Sequence, residues 1–99
     1  MDVKLVDKGE TGELLMSGSL DTKTAKDADA LFSQMADRFQ NLTLNMESLD
    51  YISSAGLRCV RNLYMKLNGK GGKLSIIHVN ENVMEVFEMT GIAGLLGIK

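Results

Sequence analysis

Proline is absent from this 99-residue chain, and cysteine and histidine occur once each. Without proline, the turns rely on Gly, Asn and Asp. A single cysteine, Cys59, cannot form an internal disulfide, which fits a reducing compartment. His78 has no second histidine or cysteine at ligand spacing, so soft-metal chemistry is excluded and no cofactor is expected. No uncharged apolar run approaches the roughly 18 residues needed to cross a bilayer. The opening residues, MDVKLVDKGE, also lack the apolar stretch of a signal peptide. A cytoplasmic protein without membrane insertion is the expectation. The 11 basic residues are scattered among 13 acidic ones for a net charge of −2, which is no electrostatic footprint for nucleic acid.

Hydrophobic residues make up 44% of the chain and charged residues 24%, which disfavours disorder, collagen-like repeats and coiled coil. A chain of this length buries somewhat over ~60% of its extended surface and holds one core. One domain spanning residues 1–99 is expected.

Val3 to Val6 and Glu13 to Ser17 read as two short strands, with Gly9 and Gly12 supplying the turn of a hairpin. Beyond Leu20-Asp21, apolar residues at Ala25, Ala28, Leu31, Phe32, Met35 and Phe39 step by three and four, which predicts a helix with one buried stripe. Thr24 is its expected N-cap, with Asp27 completing something close to a capping box. Leu42 to Met46 alternates as a strand does, and Glu47 to Asp50 leads out of it. From Ala55 a second helix is predicted. Leu57, Val60, Leu63 or Tyr64, and Leu67 form its inner face, and Arg58, Arg61 and Met65 share another. Gly69, Gly71 and Gly72 end it, and Lys73 to Val79 follows as a strand. Asn80 caps a third helix that turns Val83, Val86 or Phe87, and Thr90 inward. The tail, Ile92 to Ile98, reads as a short helix or a strand. The pattern predicts an α/β fold: a small mixed sheet of about four to five strands with parallel crossovers, flanked by about four helices.

Most candidate motifs have ordinary explanations. Gly69 to Lys73 carries the letters of a phosphate loop, but it closes a helix and enters a strand, the reverse of what phosphate binding needs. It reads as a C-cap and turn. Asp21, Asp27, Asp29, Glu47 and Asp50 are better solvated caps and turns than paired catalytic carboxylates. Cys59 reads as a small buried apolar group, and most of the seven methionines as core filler. Neither a Ser-His-Asp nor a Cys-His arrangement follows from the spacing. There remain Ser53 and Ser54, between a strand and a helix. Taken alone, they are ordinary N-cap residues worth ~1 kcal/mol.

The surrounding stretch, Leu49-Asp50-Tyr51-Ile52-Ser53-Ser54-Ala55-Gly56-Leu57, resembles the signature of the STAS domain family, in particular the bacterial anti-sigma factor antagonists. Three further segments match in order: Gly18-Ser19-Leu20-Asp21, Gly71-Gly72-Lys73-Leu74, and Val86-Phe87-Glu88-Met89-Thr90-Gly91. The resemblance spans nearly the whole chain. It implies a small mixed sheet flanked by helices and a non-catalytic module that regulates transcription by partner switching. In such antagonists an anti-sigma factor that is also a serine kinase phosphorylates the serine following an aspartate; the unphosphorylated form binds that kinase and frees the sigma factor.

Carried over by position, the acceptor is Ser54, the family aspartate is occupied by Ser53, and Ala55 and Gly56 follow. Arg58, Arg61 and Met65 become the adjoining docking face, with Asp21 expected at the same end of the sheet. The implied partners are the anti-sigma factor kinase and a serine phosphatase that resets the switch. Two other readings remain open: a STAS subunit docked on a transporter ATPase without phosphorylation, and a small-ligand or nucleotide sensor using the helix N-terminus at Ser53 to Gly56.

Overall fold

The computed structural model describes residues 1–96. In chain order the elements are β1 (Asp2–Asp7), β2 (Thr11–Leu20), α1 (Ala25–Arg38), β3 (Asn41–Ile52), α2 (Ser54–Gly69), β4 (Lys73–Ile77), α3 (Glu81–Met89) and α4 (Ile92–Leu96). The four strands form one mixed sheet in the order β1-β2-β3-β4. β1 and β2 are an antiparallel hairpin, and α1 and α2 carry the chain across to the parallel neighbours β3 and β4. This is the fold class expected from the strand and helix order.

The hairpin turns at Gly9, which adopts φ +91° and donates its N–H to Asp7 Oδ1 at 2.9 Å. Gly12 lies inside β2 rather than in the turn. A Cβ there would stand 2.8 Å from the Phe39 ring, so this glycine makes room for the aromatic side chain that follows α1. Leu14, Met16, Leu42 and Leu44 alternate inward from the two central strands, and α1 and α2 pack side by side over them. α1 contributes Ala25, Ala28, Phe32 and Ala36 to this core, and α2 contributes Leu57, Cys59, Val60, Leu63 and Leu67.

β3 is much longer than its alternating segment. It runs to Ile52, and two irregularities break its register with β2, between the pairs Leu15↔Asn45 and Ser17↔Ser48 and between Gly18↔Leu49 and Ser19↔Tyr51. Each puts one extra residue on β3, as a β-bulge does. Buried residues in this half are therefore Met46, Leu49 and Ile52, spaced by three rather than two.

α2 ends in a Schellman motif. Gly71, at φ +78°, donates to the Asn68 carbonyl, and Gly72 donates to the Leu67 carbonyl at 2.8 Å. The glycine-rich segment is thus a helix stop, as its position implied. α3 is capped by Asn80, whose side chain accepts from Val83 N–H at 2.9 Å and donates to the Leu49 carbonyl at 2.6 Å. Val83 and Phe87 are buried, but Thr90 is exposed and not inward-facing; its hydroxyl returns to the Val86 carbonyl at 2.9 Å, satisfying itself within the helix. β4 stops at Ile77 because His78 takes φ +58° and turns the chain out of the sheet. The tail is helical through Leu96; Gly97 and Ile98 lie outside the described residues.

Lys66 of α2 and Lys70, its C-cap residue, fasten α1. Lys66 donates to Ser33 Oγ at 2.7 Å and pairs with Asp37 at 3.0 Å. Lys70 donates to the carbonyls of Ala36 and Phe39, the latter at 2.7 Å, placing an ammonium on the negative end of the α1 dipole. Lys70→Met should lower stability by about 1–2 kcal/mol, read as a lower urea midpoint at unchanged m-value.

Candidate functional site at the start of α2

β2 and β3 run parallel to the same end of the sheet, where Leu20 pairs with Ile52. Binding surfaces gather at such carboxyl ends because the segments leaving neighbouring strands converge there. Here β2 continues into α1 and β3 into α2, and the two exits stay tied. Ser53 N–H donates to the Leu20 carbonyl at 2.9 Å.

The two serines have different chemical situations. Ser53 is the N-cap of α2, in extended backbone, and its hydroxyl accepts from Gly56 N–H at 3.2 Å. Ser54 is the first residue of the helix and is exposed. Gly56 is buried. A Cβ at this position would lie 2.6 Å from the Leu20 carbonyl oxygen and 2.9 Å from Ile52, so the residue lets α2 approach β2.

Asp21 follows Leu20 and forms a reciprocal capping box with Thr24. Thr24 Oγ1 accepts from Asp21 N–H at 2.9 Å, and Asp21 Oδ1 accepts from Thr24 N–H at 3.1 Å and Lys23 N–H at 2.9 Å. The Ala25 N–H reaches the Asp21 carbonyl at 2.8 Å, so the helical turn begins at Asp21. The expected box of Thr24 with Asp27 is replaced by this one, because a carboxylate serving two amides outcompetes a hydroxyl serving one. The Thr24 amide, opposed by partial desolvation and helped by Lys23, holds the Asp21 carboxyl below its ordinary range.

Ser54, Arg58, Arg61 and Met65 step by four, three and four along α2 and are all exposed, forming one outward stripe. Met65 is 56% exposed. Arg61 and Met65 lie roughly 10 and 16 Å from Ser54 along the helix axis. α2 contains no carboxylate, so its charged residues, Arg58, Arg61 and Lys66, are all cationic. Asp21, Ser53, Ser54, Ala55 and Arg58 therefore converge at one end of the sheet, and Arg61 and Met65 extend the surface down the helix. Sequence reasoning passed over Tyr51, which is 54% exposed on the last turn of strand before the serines. Its outward placement was encoded in the three-residue spacing of Met46, Leu49 and Ile52.

Cys59 is buried, donates its thiol to the Ala25 carbonyl at 3.1 Å, and has its pKa pushed up by burial, which suits a packing role. Among the described residues no group of three or more His, Cys, Asp and Glu could hold a metal ion, and no helix is long and apolar enough to cross a membrane.

The model of the STAS domain matches residues 3–99. This chain belongs to the STAS domain family. Among curated STAS relatives, it is 30% identical over 84 residues to the putative anti-sigma factor antagonist BtrV of Bordetella bronchiseptica, covering 84% of this chain and 72% of that protein. It is 28% identical over 88 residues to the anti-sigma F factor antagonist of Paenibacillus polymyxa, covering 84% and 73% respectively. Among solved structures, an anti-sigma factor antagonist from Mycobacterium paratuberculosis superimposes with a TM-score of 0.85 at 20% identity, over 95% of this chain and 80% of that one. The phosphorylated form of the Bacillus cell fate determinant SpoIIAA does so with a TM-score of 0.76 at 21% identity, over 97% and 86%. These superpositions show the STAS fold.

Gly56→Ala should destabilise the domain by about 1–3 kcal/mol despite alanine's better helix propensity, since the obstructing atom is backbone. Thermal or urea unfolding reads this directly. Because folding lowers the Asp21 pKa, its stabilisation is present above the unfolded value and fades as pH falls through the folded one. The stability difference between wild type and Asp21→Asn should therefore be constant above about pH 5 and shrink below about pH 4, as urea midpoints across that range would show.

Proposed function

We propose that this STAS domain, acting as a single cytoplasmic module, is an anti-sigma factor antagonist in which Ser54 is the phospho-acceptor of a partner switch. The observation that carries this reading is the division of labour between the serines. The Ser53 hydroxyl is committed to the Gly56 amide, while Ser54 stands exposed at the head of a cationic stripe. The relatives named as anti-sigma factor antagonists supply the partner class, an anti-sigma factor.

In the unphosphorylated state, Asp21, Ser54, Ala55, Arg58, Arg61 and Met65 meet the anti-sigma factor, with Ser53 holding the turn beneath them. The anti-sigma factor's serine kinase activity transfers a phosphate to Ser54. The new group carries roughly −1.5 to −2 charges, which the first turn of a helix tolerates through its free amides and dipole. The fold survives, and the docking face now presents a solvated anion where a complementary surface must close. A complete switch from bound to free needs about 5.5 kcal/mol of differential affinity, and the desolvation of a phosphate in the docking face is its source in this reading. A serine phosphatase then restores the binding form. The domain is substrate and ligand in this cycle, not an enzyme.

Incubation with the cognate kinase and ATP, read by intact mass, tests the assignment. Wild type and Ser53→Ala should each gain one phosphate and Ser54→Ala none, while Ser53→Ala unfolds about 1 kcal/mol more easily through loss of its cap. A phosphate that survives Ser54→Ala would remove Ser54 from the mechanism. Recovery of a transporter ATPase instead of an anti-sigma factor in a pull-down would point to a docked subunit.

A further inference from the structure

Arg58 follows Ser54 by four residues, and both are exposed on the same stripe of α2. Side chains four apart on a helix have Cβ atoms about 5–6 Å apart, and an anion placed N-terminal to a cation at this spacing is the favourable order. Helical Cα–Cβ bonds also tilt toward the N-terminus, which puts the turn that carries Ser54 within the ordinary reach of an arginine at position 58. None of the three ion pairs among the described residues involves Arg58. No carboxylate on α2 competes for it. The Ser53 hydroxyl is taken by Gly56 N–H, and Asp21 Oδ1 by the amides of Lys23 and Thr24.

We propose that Arg58 is the built-in counter-ion of a phosphate on Ser54, so that modification closes a Ser54–Arg58 pair within α2 and withdraws that guanidinium from the docking stripe. This rests on the acceptor reading of Ser54 and deepens it. The phosphate then acts twice on the surface: it adds negative charge at Ser54 and cancels a positive charge one turn away. Planar guanidinium donors suit phosphate oxygens, and a lysine ammonium would hold the group only as a point charge. Arg61 is a natural control. It has the same charge on the same stripe, but about 10 Å along the axis from Ser54, near the screening length of physiological salt.

The test installs phosphoserine at position 54 during translation, with no kinase present, and follows the second ionisation of the phosphate by phosphorus NMR. The phosphate should ionise about 0.15–0.4 pH unit lower in wild type than in Arg58→Gln at physiological ionic strength, in line with an i,i+4 ion pair. Arg61→Gln should track the wild type, and Arg58→Lys should fall between. Asp21, Lys23 and Asp50 near this end of the sheet, and Lys26, Asp27 and Asp29 on the neighbouring α1, the last of which, like Arg58, acts on Cys59, are common to every variant and cancel in the comparison. Identical curves for wild type and Arg58→Gln would overturn the proposal. Equal shifts for Arg58→Gln and Arg61→Gln would overturn it too, since they would report only a general positive field. The phosphate is supplied independently of any kinase, so this result stands apart from whether Ser54 is a natural acceptor.

Discussion

The Leu20 carbonyl is the point on which the site turns. It accepts the Ser53 amide, and it lies so close to α2 that only glycine fits at position 56. A single amide–carbonyl bond is worth about 1 kcal/mol net, but its geometric effect here is larger than its energy. It fixes where α2 begins relative to the end of β2. One residue further on, the Asp21 box starts α1. Both crossover helices are thereby registered against the same corner of the sheet, and the exposed serine inherits its position from that registration. Lys66 and Lys70 repeat the arrangement at the other end, where α2 holds the last turn of α1.

The parts of this structure that obey a single period could be read from sequence. The inner faces of α1 and α2, the glycine stop after α2 and the Asn80 cap all depend on neighbours three to five residues away. The second half of β3 could not be read this way, because two bulges convert an alternating pattern into one with buried residues at Met46, Leu49 and Ile52. Gly12 and Gly56 misled for a related reason. Each looks like a local feature, a turn or a motif letter, but each is required by an atom distant in sequence, the ring of Phe39 and the carbonyl of Leu20. The sequence predicts the cap of α1 at Thr24 with Asp27, but Asp21 has the same chemistry and the structure pairs it with Thr24 instead. Motif position separates Ser54 from Ser53, and so does hydrogen bonding: the Ser53 hydroxyl is engaged with Gly56 N–H and Ser54 is exposed.

Charge is unevenly distributed in a way that the net value of −2 conceals. α2 carries Arg58, Arg61 and Lys66 and no acid, whereas α3 carries Glu81, Glu85 and Glu88 and no base. A molecule polarised between two helices is oriented before contact by the field of whatever it approaches. The cationic helix is the one that holds the exposed serine.

Ser54 is held in the first turn of a helix by a cap, a carbonyl bond and a packed glycine, rather than on a loose strand. Under the proposed switch, a kinase would have to take a rounded, folded surface into its cleft, and could not thread the residue through as an extended segment. Its selectivity would then be a property of the assembled corner, contributed by residues from two separate stretches of chain. Excised as a short peptide, the same letters would lose what distinguishes them, and drift in Asp21 or Leu20 would alter recognition as surely as drift beside the serine itself.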